Sequence, residues 1–250
     1  LNVPSEQKAL MIEAARNLRG SDWRVTTDPL PSGSPKGSNI LGATDFNSKS
    51  IHVFSSSSET LLHEMIHAAT LEQVSRFYSD PNSLSQAEQE ALNRIEILMS
   101  EWLETAPGDV TDLNEQVRQA MSNAQNAILG HLGNANNGLA SNKANALNEF
   151  MAWVLSNQNL ARAAARTKVR SGLAKIIGDA LKALRQLFNF KSKVSDDLYS
   201  NLKFNTTILL RSGRPVSASL ADTILFQAGV FGTSDRLTKL REAFFDKIAR

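Results

Sequence analysis

The sequence contains no cysteine, which excludes disulfides, thiol nucleophiles and thiolate ligands, so any bound metal must be held by nitrogen and oxygen donors. Charge of one sign is also lacking. The 27 basic and 25 acidic residues leave a formal net charge of +2, which argues against a dedicated nucleic-acid binder held mainly by counterion release. No apolar run is long enough to span a bilayer, and the opening Leu1-Asn2-Val3-Pro4 has neither an initiator Met nor a basic segment leading into an apolar one. It reads as a processed chain or an excised domain. No P-loop, no GxGxxG opening a helix and no GxSxG elbow occur, so the usual signatures of nucleotide binding and serine hydrolysis are missing.

What is present suffices for a real core. With 250 residues and 42% hydrophobic content, one large domain or two small ones is expected. The spacing of Leu10, Ala14 and Leu18 predicts a first helix over 4–19, ended by Gly20. Trp23 to Thr26 has strand composition, 29–37 is a Pro/Gly/Ser loop, and 40–44 and 50–54 read as two strands joined by a polar turn, together a small antiparallel sheet. Ser56 with Glu59 fits a capping box that opens a helix over about 60–78. Further helices are expected over 83–104, 110–129 and 143–157, with 130–142 as a Gly/Asn loop, and helical pattern dominates from Asn159 onward. The fold class expected is α+β, predominantly helical, with a helical C-terminal extension.

The residues that carry chemistry are His63-Glu64-Met65-Ile66-His67. On a helix, positions four apart are separated by about 40° around the axis and about 6 Å along it, so His63 and His67 offer both imidazoles to one point. Glu64 is rotated off that direction, where a carboxylate can act as general base on a metal-bound water instead of ligating. Four histidines and thirteen glutamates would generate this pattern in roughly 0.3% of shuffled sequences. The competing reading is a pair of core histidines with Glu64 as their partner. Two histidines also leave a catalytic zinc, which takes three protein ligands and one exchangeable position, one ligand short.

The segment from Thr60 to Ala68, preceded by Ser50-Ile51-His52-Val53-Phe54, resembles the zincin metallopeptidases. That resemblance implies a Zn2+ cofactor on His63 and His67, a polypeptide substrate, Glu64 as catalytic base, and residues 50–54 as an edge strand on which an extended peptide could add. The metzincin branch is excluded, because Thr70 and Gln73 stand where it requires Gly and His. Asn148-Glu149-Phe150-Met151-Ala152-Trp153 looks like the glutamate helix of gluzincins, which makes Glu149 the implied third ligand. Two rivals stay open for that position. Gly232-Thr233-Ser234-Asp235 is similar to the Gly-Thr-x-Asp of aspzincins, and His131 lies in the Gly/Asn loop. Tyr78, Tyr199 and His52 are the candidates for stabilising a transition state.

The arrangement of strand, HExxH and Asn-Glu-Phe-x-Ala-Trp also resembles peptidase domains embedded in bacteriophage polyproteins. The expectation is therefore a zinc endopeptidase processing a parent polyprotein or a phage or host protein, with no specific nucleic-acid partner. Its domain would span 1–157, with 83–129 as a helical insertion or lid and 158–250 as the extension. The alternative is a catalytically inert structural or interaction module of a large virion or secreted protein. Between Asn159 and Lys193, nine Lys or Arg stand against one acid, Asp179, on a helix with an apolar stripe. Such a helix suits an anionic surface or a partner, and more ordinarily packs on the core with its charges solvated.

Overall fold

The computed structural model describes residues 5–19, 21–28, 41–55, 57–110, 112–134, 138–169 and 197–212. Contacts divide the chain into two compact units, one within Leu1–Thr70 and the other Leu71–Ser212.

The first unit begins with α1 (Ser5–Leu18). Leu10, Met11, Ala14 and Leu18 recur at helical spacing and are all buried, and the Ser21 hydroxyl donates to the Leu18 carbonyl at 2.7 Å where the helix stops. Three strands follow: β1 (Arg24–Thr26), β2 (Gly42–Asp45) and β3 (Ser50–Val53). They pair in the order β1-β3-β2. β2 and β3 form the antiparallel hairpin expected, with Gly42 opposite Val53 and Thr44 opposite Ile51.

Two sequence expectations are corrected here. β1 runs parallel to β3, with Val25 opposite Ile51, so the sheet is mixed and not wholly antiparallel. β3 is consequently the central strand, not an edge. Both sides of its backbone are already hydrogen-bonded, so it has no free ladder to offer an extended peptide. The cause is connection length. Only four residues join β2 to β3, and Lys49 takes the left-handed conformation (φ 49°) that closes the turn, whereas the long link after β1 permits a parallel return. The Asp45 carboxylate organises the turn by accepting from the Asn47 and Ser48 amides at 2.9 and 3.3 Å and from the Ser48 hydroxyl at 2.7 Å. The Ser48 hydroxyl is the chief reason its carboxyl sits below the usual carboxylate range.

α2 (Ser58–Ser79) follows. Leu61, Leu62, Met65, Ile66, Ala68, Ala69 and Val74 are all buried, as a helix without a wide polar face requires. The Ser57 hydroxyl accepts from the Glu59 amide at 3.2 Å; the expected capping residue, Ser56, lies outside the described residues.

In the second unit, α3 (Gln86–Glu104) starts at the capping box of Ser85 and Glu88. α4 (Glu115–Leu132) starts five residues later than the apolar spacing suggests, because the Asn114 side chain accepts from the Val117 amide at 2.9 Å and caps the helix there. Val110 and Leu113 are buried without being helical, which is why periodicity overshot. α5 (Leu139–Ser156) and α6 (Gln158–Arg166) come next, and α7 (Leu198–Ser212) packs along α3. Trp102 is fully buried, with Phe150 6.5 Å away between ring centroids. Gln125 donates to the Trp102 and Thr105 carbonyls at 2.6 and 2.8 Å, tying α4 to the end of α3. The basic amphipathic helix expected over 159–193 is corrected in part: α6 stops at Arg166, Thr167 caps it, and Lys168 forms an isolated antiparallel bridge with Asp197; residues 170–193 lie outside the described residues, as does all of 213–250. The helical α+β class expected from the sequence is the one observed. No helix among the described residues is long and apolar enough to cross a membrane.

Candidate metal centre

α2 presents His63 and His67 one helical turn apart. Their Nε2 atoms are 3.0 Å from each other, within hydrogen-bond distance, and the ring planes are inclined by 76°. Two nitrogens bound at 2.0–2.1 Å to a tetrahedral zinc would be about 3.3 Å apart. The observed separation lies close to that. His67 is buried at 9% exposure and Glu64 at 6%, and the helix around them is apolar, so these polar groups need partners.

Glu64 is gripped from the sheet. The Thr44 hydroxyl donates to Glu64 Oε2 at 2.6 Å and lies 3.2 Å from the Glu64 carbonyl oxygen. Gly42, two residues earlier on the same face of β2, makes this approach possible. A Cβ at Gly42 would stand 2.7 Å from Thr60 Cγ2 and 3.0 Å from both Cγ and Oε1 of Glu64. Sequence reading missed both Gly42 and Thr44. The alternation of the strand puts them on one face, but nothing local says which helix residue that face meets.

His52 was a candidate for the same neighbourhood. Strand alternation puts it on the sheet face opposite Thr44 and Gly42, since it pairs with Ala43. Its Nδ1 is 2.9 Å from the Asp28 carbonyl.

Glu149 lies on α5. Its Oε1 is 3.8 Å from Nε2 of His131. His131 was expected in a loop; α4 extends through Gly130 to Leu132 and puts it in the last helical turn. One ligand atom from each of His63, His67 and Glu149 lies within 4.8 Å of the others, a group able to hold a metal ion. Among the described residues it is the one such group, and His131 is not in it. Asp235 lies outside the described residues. Tyr78 is half-buried and donates its hydroxyl to Glu96 at 3.0 Å. Burial, reinforced by the Glu96 carboxylate, pushes its phenol well above the usual tyrosine value. Tyr199 is buried on α7.

The donor chemistry fits a transition metal. Imidazole nitrogens suit zinc and its neighbours, whereas magnesium and calcium take oxygen ligands almost exclusively. Were all three residues to bind zinc, they would be one ligand fewer than a closed structural site requires and would leave a position for an exchangeable ligand.

No family model and no solved structure matches the chain. The chain is similar to the virion DNA-directed RNA polymerase of Enterobacteria phage N4, at 33% identity over an alignment of 270 residues. The match covers 99% of this chain and 7% of the relative, so the chain spans a small fraction of that protein's length. The phage affinity expected from the sequence is thereby supported. The functional expectation of a zinc endopeptidase is corrected: the relative is a DNA-directed RNA polymerase. Neither the peptidase assignment with its polypeptide substrate nor the inert-module alternative agrees with that relationship, and a zincin family is not shown.

Proposed function

We propose that this chain is a metal-binding segment of a large virion protein of the DNA-directed RNA polymerase kind, in which His63, His67 and Glu149 hold a zinc ion. The observation that carries the reading is the convergence of two imidazole nitrogens 3.0 Å apart with a carboxylate in the same 4.8 Å group. Bound there, zinc would act as a Lewis acid and lower the pKa of a coordinated water. Glu64, one position along α2 from the first ligand, is the group placed to exchange a proton with that water.

The segment serves the parent protein without being its nucleotidyl-transfer centre. Polymerase chemistry uses paired metal ions roughly 3.5–4 Å apart, and the magnesium of such sites sits on carboxylates and substrate phosphates. Two histidines and one glutamate are a poor seat for that pair, so the transfer chemistry is assigned to other parts of the parent protein.

Calorimetric titration of zinc into the metal-stripped full chain tests the reading. Wild type should bind one equivalent. Loss of an outer-shell partner already costs metal sites 10–100-fold in affinity, so His63→Ala and His67→Ala should each weaken binding by more than about 100-fold. Glu149→Gln should weaken it by at least about 10-fold. Unchanged affinity in Glu149→Gln would remove the third ligand, and unchanged affinity in both histidine variants would remove the site.

A further inference from the structure

We infer that α6 and Lys168 present a cationic strip that takes the phosphodiester backbone of a nucleic acid without regard to its sequence. The strip lies within the second unit and does not depend on zinc. Gln158 to Val169 contains two arginines, one lysine and no acid. Arg162 and Arg166 stand four apart on α6, so they share one face of the helix and are about 6 Å apart along its axis. Lys168 follows at a fixed place, because its backbone bridges Asp197 and the Leu198 amide donates to the Thr167 carbonyl at 2.9 Å. All three residues are exposed.

The balanced charge of the whole chain hides this asymmetry, because cations on other helices are neutralised one turn away. Arg76 pairs with Glu72, and Arg94 with Glu90. Among the described residues no carboxylate pairs with Arg162, Arg166 or Lys168. Neither acid that comes near neutralises them. Asp112 gives Arg166 its carbonyl and not its carboxylate, and the Asp197 carboxylate accepts from the Ser200 amide and hydroxyl at 2.7 and 2.9 Å. Leu160, Ala163, Ala164 and Val169 are buried, so no large apolar side chain stands beside the cations to enter a lipid surface. α6 has no aromatic ring on which a base could stack, which leaves the phosphates. The guanidinium fork suits them, since it offers a phosphate two parallel N–H donors.

The test is fluorescence anisotropy of labelled oligothymidylate titrated with the full chain at several salt concentrations. Each single-strand phosphate contact adds about 0.7 to the salt slope of log K, so three contacts should give wild type a slope of about −2. Arg162→Ala should reduce its magnitude by about 0.7, and Arg162→Glu with Lys168→Glu should weaken binding at least about 10-fold at low salt. Both replace exposed side chains and should keep the wild-type urea midpoint. Arg76→Ala, which removes a cation already paired, should bind like wild type, and wild type should bind a mixed-sequence oligomer equally well. Unchanged binding in the double variant, or an equal loss in Arg76→Ala, overturns the inference. Displacement of the oligomer by polyglutamate as readily as by unlabelled oligothymidylate does so too, as does sedimentation with phosphatidylglycerol vesicles that the double variant loses. A wild-type chain that binds zinc and no oligomer overturns this inference and leaves the metal reading standing; one that binds the oligomer and no zinc does the reverse.

Discussion

Gly42 shows how one missing atom can position a charged group. Its Cα faces α2 so closely that the smallest side chain would overlap Thr60 and Glu64. Gly42→Ala should therefore destabilise the protein by about 1–3 kcal/mol, as overpacking does in tight interiors, measured by urea unfolding. A substitution without effect would mean that β2 and α2 can move apart freely. Asp45 gives a pH-dependent counterpart. Its carboxyl is held below its usual value chiefly by the Ser48 hydroxyl. Its contribution is therefore present above the unfolded value of about 3.9 and is lost as pH falls through the lower folded value. The stability gap between wild type and Asp45→Asn should be seen at pH 7 and should close toward pH 3. A gap that widens on acidification would reverse the sign. At this scale the HExxH residues were legible, because their geometry follows from helix periodicity alone. Thr44 was not, since its bond to Glu64 spans 20 residues and depends on how a strand lies against a helix.

Elements were legible to the extent that local signals determined them. The apolar spacing of α1 and the runs behind α3 and α5 located those helices within a few residues, because each buries one face. Where polar capping competed with apolar spacing, capping won: α4 begins after Asn114 and not at Val110. Where composition competed with helix continuation, the helix won, carrying Gly130 and His131 inside α4. The parallel pairing of β1 with β3 was not legible, because register between strands 26 positions apart leaves no local trace. Capping energetics can be checked directly at α3, where the Ser85 hydroxyl and the Glu88 carboxylate cap each other's backbone. Ser85→Ala should cost about 1 kcal/mol, seen as a lower urea midpoint with an unchanged slope.

For the molecule as a whole, composition excluded thiolate chemistry and the motif pointed to a metal, but neither could name the protein it serves. The likeness to a virion RNA polymerase runs along 99% of the chain. The HExxH pattern pointed to a peptidase because its short spacing records how a metal is held and not what reaction, if any, the parent protein performs. Metal binding should also be visible in global stability. Zinc that binds only the folded state at 100 times its dissociation constant adds about 2.7 kcal/mol, so a chelator should lower the thermal midpoint of wild type. His63→Ala should show no such response. The most direct measurement is elemental analysis of the untagged full chain purified without chelators. Close to one zinc per wild-type chain is expected, and almost none in the His63→Ala, His67→Ala double variant. Wild-type protein free of zinc and of other transition metals, or a double variant that retains them equally, would contradict it.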